Sequence, residues 1–431
     1  MAKEISDSKA AKNITVSDFP VSSDFNRVPT ANRTHIAFFG KRNAGKSSLV
    51  NAVTGQSLSI VSDMKGTTTD PVQKTMELLP LGPVVIIDTP GIDDDGAVGS
   101  LRVEKTFEIL RKTDAAVLVI DTGAGPAEED RKLIELFRKR KIPFVVALNK
   151  SDLCAAEPCS MHTAQISSGL SNFEDIISVS ALTGKGIKTL KEVLARIASS
   201  KEPEKYILRD KLQPADIVVL VTPIDSSAPK GRLILPQVQT IRDILDGHAI
   251  CMVTQTDQLP RALSALSKPP KLVVTDSQDF KQVKNMISQE TRLTSFSILM
   301  ARFKGILDTA ARGAYYLKNL TDGDKILICE GCTHHRQCED IGTVKLPGWI
   351  RQYTGKTLHF QFTSGGQFPE NPKELQSYAL IVHCGGCMLN RREMQSRMES
   401  AQTAGVPFTN YGTLIAHING ILNRSLEIIY E

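Results

Sequence analysis

Short apolar runs bounded by turn residues recur along the chain and fall into three groups. The first holds HIAFFG (35–40), PVVIID (83–88), FVVALN (144–149) and DIISVS (175–180). Continuous apolar runs of this length predict strands buried on both faces, as in a parallel sheet covered by helices. In the second group DIVVLVTPI (216–224), HAICMVT (248–254) and KLVVTD (271–276) alternate with LPQVQTIRDILD (235–246) and LPRALSALS (259–267), whose apolar positions have helical spacing. That alternation predicts a small parallel α/β unit with three buried strands. The third group is a helical stretch over 296–317, strands KILICE (325–330) and ALIVHC (379–384), and a helix over 391–405.

The chain therefore reads as α/β throughout, in three units behind a tail. Residues 1–32 are polar and without periodicity, and are expected to be flexible. The units are expected at 33–200, 201–290 and 291–431, with the charged, proline-containing run 199–216 as the linker after the first.

Composition narrows the class only a little. Of 431 residues 41% are hydrophobic and 23% charged, an ordinary globular balance. No apolar run approaches the roughly 18 residues of a membrane span, and the opening MAKEISDSKAAKN has no apolar segment after its charges, so a cytoplasmic protein without membrane association is expected. A net charge of +5 with no aromatic-interleaved basic stripe gives no reason to expect a nucleic-acid partner. Eight cysteines in a reducing compartment point to metal or burial rather than disulfides. Cys329, Cys332, Cys338, Cys384 and Cys387 crowd the last quarter and favour metal there, whereas Cys154, Cys159 and Cys251 are assigned no role.

The turn after the first strand carries chemistry. Gly40, Gly45, Lys46 and Ser47 fit G-x-x-x-x-G-K-S, followed by Ser48 at the start of a helix. Such a loop wraps backbone amides around phosphates at the positive end of the helix. Lys46 is expected to reach the β and γ phosphates and Ser47 to hold magnesium. Asp88-Thr89-Pro90-Gly91 closes the next strand, with Asp88 placed for the magnesium water and the Gly91 amide for the γ phosphate. Asn149-Lys150-Ser151-Asp152 follows another, and Asp152 can accept from the N1 and N2 donors of guanine. Ser180 and Ala181 stand where a loop supports guanine O6. Four motifs in order at strand ends identify a GTP site.

This segment resembles the GTPases of the TrmE and Era group over about residues 33–200. The resemblance implies that Gly66–Asp70 is the first switch, with Thr68, and second Thr67, as the magnesium-sensing hydroxyl. It also implies that Asn43 holds a potassium ion beside the phosphates. Ile92 stands where Ras-like enzymes carry the glutamine that orients water, so slow intrinsic hydrolysis, relieved by a cation or by dimer contacts, is expected.

Near the other end, Cys332-Thr333-His334 and His383-Cys384-Gly385-Gly386-Cys387 are separated by the 48 residues between the two histidines. Cys329, Cys332, Cys384 and Cys387 form two C-x-x-C pairs that would suit structural zinc. Cys332, Cys384 and Cys387 with neighbouring histidines would suit an iron–sulfur cluster with one iron free of thiolate. The residues alone leave both open.

The combination of C-x-H, H-C-x-x-C and a TrmE-like GTPase resembles the FeFe-hydrogenase maturation scaffold family, HydF, over nearly the whole chain. The resemblance implies a P-loop GTPase domain, a small α/β dimerisation domain and an α/β iron–sulfur cluster domain. In that reading Cys332, Cys384 and Cys387 bind a 4Fe-4S cluster, and His334 and His383 are candidates for the fourth position or for supporting it. The implied function is a GTP-binding and hydrolysing scaffold that carries a diiron precursor, made by two radical SAM enzymes, to apo FeFe-hydrogenase, as a homodimer. The rival is a ribosome- or tRNA-associated GTPase with a C-terminal zinc site.

Overall fold

The computed structural model describes residues 28–56, 72–91, 97–153, 175–198, 205–224, 233–332, 340–369 and 371–431, with backbone only for 97–104. Thr67, Thr68, Ile92, Cys154, Cys159, His334 and Cys338 lie outside the residues whose surroundings are described.

In the first unit β1 (Thr34–Phe39), β2 (Val72–Leu78), β3 (Gly82–Asp88), β4 (Ala115–Asp121), β5 (Phe144–Asn149) and β6 (Ile176–Ser178) form one sheet in the order β2-β3-β1-β4-β5-β6. Only β2 runs antiparallel. Helices α1 (Lys46–Thr54), α2 (Ala97–Lys112), α3 (Glu128–Lys139) and α4 (Ile187–Ala198) connect the strands. The continuous apolar runs have the cause expected of them: Ile36 and Phe38 point into one core and Ala37 and Phe39 into the other, so both faces of β1 are dry.

The second sheet contains β7 (Ile217–Val221), β8 (Ile250–Thr254), β9 (Leu272–Thr275) and β10 (Leu293–Ser295), all parallel, in the order β10-β9-β7-β8. Helices α5 (Leu235–Asp246), α6 (Leu259–Ser264) and α7 (Phe280–Met286) lie between them. Two readings need correction. HAICMVT is a strand but not a buried one: β8 is an edge, with Ile250 51% and Val253 44% exposed. An apolar run marks a strand without saying what covers it. The segment after residue 290 first contributes β10 to this sheet instead of opening the third unit.

The helical stretch that follows breaks at Gly305, which takes φ +77°, into α8 (Phe296–Lys304) and α9 (Leu307–Tyr315). The third sheet then comprises β11 (Lys325–Glu330), β12 (His359–Ser364), β13 (Leu380–His383) and β14 (Phe408–Asn410), again parallel, in the order β12-β11-β13-β14. Helices α10 (Leu346–Thr354), α11 (Pro372–Leu375), α12 (Arg391–Thr403), α13 (Tyr411–Ile418) and α14 (Leu422–Tyr430) cover it. The second and third sheets share one continuous core. Ile207 and Leu208, within the run read as linker, are buried in it, and Arg302 Nη1 fixes that run by donating to the Tyr206 and Ile207 carbonyls at 3.0 Å each.

Candidate functional site

The first site forms where β1, β3 and β5 end. Gly40 (φ +144°), Asn43 (φ +60°) and Gly45 (φ +85°) bend the loop between β1 and α1. A Cβ on Gly45 would sit 2.3 Å from Asn149 Nδ2, so only glycine admits this approach. Lys46 Nζ donates to the carbonyls of Gly40 (3.0 Å) and Lys41 (2.7 Å), which hold its ammonium inside the loop. Ser47 Oγ donates to Asp88 Oδ2 at 2.6 Å, and the buried Asp88 Oδ1 has no hydrogen-bond partner among the described residues. A hydroxyl and a carboxylate with a spare oxygen suit a hydrated magnesium ion. Ser48 occupies the first turn of α1, and Gly91 packs so closely on Arg42 that an added Cβ would lie 3.0 Å from its backbone nitrogen.

The base-side residues are tied to the phosphate loop. Asn149 Nδ2 donates to the Ala44 carbonyl (3.0 Å) while its Oδ1 accepts from the Ala181 amide (3.1 Å), joining the two loops through one side chain. Ser180 Oγ donates to Asp152 Oδ1 at 2.5 Å and accepts from the Thr183 amide at 3.0 Å. Lys150, at φ +64°, pairs with Asp121 at 2.7 Å. The carboxylate of Asp152 is therefore held in one orientation by Ser180.

The second site lies at the ends of β11 and β13. Cys384 Sγ accepts from the Gly331 amide (3.1 Å) and the Gly386 amide (3.4 Å), an arrangement that favours a thiolate or a metal-bound sulfur. Gly386 takes φ +62°, and a Cβ there would meet Met394 Sδ at 2.4 Å. Burial pushes the Cys384 thiol up to about 11 and raises that of Cys387 as well. Without a cation these sulfurs are protonated at neutral pH, so metal binding would release protons. Cys332 is partly exposed on the neighbouring strand end. The donor chemistry fits an iron–sulfur group. Among the described residues, however, no group of three His, Cys, Asp or Glu side chains is placed so as to hold a metal ion.

The surroundings of His383 and Cys329 bear on the alternatives left open for them. His383 is not available as a ligand: Nδ1 faces the Cys384 carbonyl at 3.0 Å and Nε2 faces Arg397 Nη1 at 3.1 Å. Burial, then the Arg397 guanidinium, pulls its pKa down to about 3, so it is neutral. Cys329 is fully buried in register with His383 on the adjacent parallel strand, and alternation directs Cys384 to the opposite face. Burial lifts its thiol to about 12.

Residues that carried no sequence signal support the site. Arg397, fully buried, donates to Glu393 Oε1 and the Gly365 carbonyl at 2.6 Å each as well as to His383. Lys304, also buried, donates to the Leu389 carbonyl at 2.7 Å, and burial lowers its pKa to about 8 even though the Asp114 carboxylate lies near enough to oppose the shift. A cavity of about 920 Å³ between the first unit and the third is lined by Lys304, Arg391 and Arg392 on one side and Arg33, Arg138 and Lys141 on the other.

Residues 207–305 match the hydrogen maturase F dimerization domain, 308–428 the hydrogen maturase F tetramerization domain, and 35–150 the 50S ribosome-binding GTPase family. The chain is 36% identical over 179 residues to the tRNA modification GTPase MnmE of Endomicrobium trichonymphae, covering 40% of this chain and 37% of that one. It is 35% identical over 175 residues to GTPase Der of Nitratidesulfovibrio vulgaris, covering 38% and 34%. The chain thus spans little more than a third of the length of these curated relatives. Among solved structures, Aquifex aeolicus Era bound to GDP and aluminium fluoride aligns with a TM-score of 0.36 and 19% identity, over 54% of this chain and 98% of that one. With a P-loop GTPase domain followed by both hydrogen maturase F domains, the chain belongs to the HydF-type maturase GTPases.

Proposed function

We propose that the chain is a GTP-hydrolysing scaffold that binds a 4Fe-4S cluster through Cys332, Cys384 and Cys387 and delivers a diiron precursor to apo FeFe-hydrogenase. In the nucleotide site Lys46 would neutralise the β and γ phosphates, Ser47 and the free Asp88 Oδ1 would hold magnesium directly and through water, and the Gly91 amide would face the γ phosphate. Asp152, oriented by Ser180, would select guanine. Thr68 would complete the magnesium shell and Asn43 a potassium site, and with Ile92 unable to orient water, hydrolysis would be slow and potassium-stimulated.

In the cysteine site the cluster would supply an iron with an exchangeable coordination position. The chain's own part is to hold three sulfurs at one sheet edge, to satisfy Cys384 with two amides, and to keep His383 neutral and locked beneath it. His383 thus supports the loop. The single observation that carries the reading is Cys384 Sγ, receiving the Gly331 and Gly386 amides at the strand end, inside a chain that matches hydrogen maturase F domains. A homodimer fits the exposed edge strand β8, and the two radical SAM enzymes would load the diiron cargo in a cytoplasmic setting.

The reading is tested by incubating the full chain, purified after co-expression with the two radical SAM enzymes, with apo FeFe-hydrogenase and measuring hydrogen evolution. Activation is expected with the wild-type chain and not with Cys384→Ser. Equal activation by the variant would refute the assigned role.

A further inference from the structure

The last two residues of α2 both dock on the cysteine-bearing unit. Arg111 Nη1 donates to the Phe368 carbonyl at 3.1 Å and Nη2 to the Gly366 carbonyl at 3.0 Å. The Lys112 carbonyl accepts from Asn390 Nδ2 at 2.7 Å. Packing at this junction is tight: a Cβ on Gly366 would lie 2.7 Å from Glu108 Oε1, one turn earlier on α2.

Both attachments lead to the cysteine loop. Gly365, adjacent to Gly366, gives its carbonyl to Arg397 Nη2 at 2.6 Å; Arg397 Nη1 faces His383 Nε2 at 3.1 Å, and His383 Nδ1 faces the Cys384 carbonyl at 3.0 Å. Asn390, three residues beyond Cys387, caps α12 by accepting from the Glu393 amide at 3.0 Å, and Glu393 accepts from Arg397 at 2.6 Å. The two routes converge on one buried guanidinium. At the other end, α2 begins at Ala97, six residues after Gly91, whose amide is proposed above to face the γ phosphate.

We propose that α2 and the 365–368 turn form a strut that reads nucleotide state and passes it to the loop carrying Cys384 and Cys387. The proposal rests on the scaffold-GTPase reading above and names how that site is regulated. A shift of α2 by a fraction of an ångström changes both Arg111 hydrogen bonds together, because a planar guanidinium addresses two fixed carbonyls. The shift reaches Arg397 through Gly365 and His383 through Arg397. Linkage makes the effect reciprocal: whatever orders the cysteine loop also changes nucleotide affinity.

Hydrogen–deuterium exchange on the metal-free full chain tests this, with GDP and with a non-hydrolysable GTP analogue, each in magnesium and potassium. Amides in 361–369 and 383–390 of the wild type are expected to differ between the two nucleotides by about 5-fold or more. In Arg111→Ala the difference should vanish while both nucleotides still bind. Arg111→Lys, which keeps the charge and a donor nitrogen but not the planar fork, should restore part of it, and Gly366→Ala should abolish it with Arg111 intact. Equal exchange in a wild type that binds both nucleotides overturns the proposal, as does a nucleotide response that survives Arg111→Ala. A parallel nucleotide titration separates these results from failure of the underlying reading: a wild type that binds no guanine nucleotide sinks that reading, and the strut with it.

Discussion

The nucleotide site and the cysteine site stand at the same kind of place, the carboxyl edge of a mostly parallel sheet, yet they are built differently. The nucleotide site is made by contiguous loops whose backbone does most of the holding: Gly40 to Ser47 wrap one phosphate cradle, and Asn149 ties it to Ala181. The cysteine site is assembled from segments more than fifty residues apart and depends on a buried layer beneath it, in which Arg397 joins His383, Glu393 and Gly365. A loop of local motifs keeps its shape whatever lies below it. A site hung on a buried ion pair does not.

That contrast can be broken first at Arg397. Arg397→Met leaves the Glu393 carboxylate buried without its partner, and a loss of about 3–5 kcal/mol is expected by thermal or denaturant unfolding. A loss below about 1 kcal/mol, the range of an exposed pair, would show that the layer does not hold the site. Lys46→Ala should act oppositely, lowering GTP affinity by roughly 10² to 10³ by isothermal titration while leaving the melting of the core shared by the second and third sheets unchanged.

Gly386→Ala comes next, since its φ of +62° and the nearby Met394 Sδ leave no room for a Cβ. Strain of about 1–3 kcal/mol is expected, read as weaker iron retention during anaerobic chelation with GTP binding intact. The smallest effect expected is at Asn43. Asn43→Gly should remove the stimulation of GTP hydrolysis by potassium over sodium while leaving the sodium rate within about 2-fold, because glycine takes the native φ of +60° without strain and only the side-chain oxygen is lost.

The same contrast decides how much the sequence could reveal. Every residue proposed for the phosphate or base side, apart from the first switch, lies at or beside the turns that follow β1, β3, β5 and β6, because a loop that must wrap a phosphate constrains consecutive residues. Four of the six strands of the first sheet were legible for a similar reason, since Ile36 to Phe39 face two cores in turn, whereas β4 was missed although it is an equally continuous apolar run. Ile207, Leu208 and β8 were misread because an apolar position does not say which distant segment will cover it. Strands β2, β10, β12 and β14 also escaped notice: VQKTMEL and HFQFTS are largely exposed or half-exposed and carry polar residues, and β10 and β14 are three residues long. Arg397 and Arg111 look like ordinary charges on amphipathic helices. Only packing shows that each guanidinium is addressed to a carbonyl or imidazole more than ten residues away.

The choice between the three-cysteine site and a four-cysteine zinc site turns on Cys329, buried on the face shared with His383. Metal analysis and electron paramagnetic resonance on anaerobically reconstituted, reduced protein, with Cys329→Ser beside Cys384→Ser, test this most directly. Iron with a 4Fe-4S signal is expected in the wild type and in Cys329→Ser, and its loss in Cys384→Ser. Stoichiometric zinc without iron in the wild type, or loss of metal in Cys329→Ser, would contradict the account.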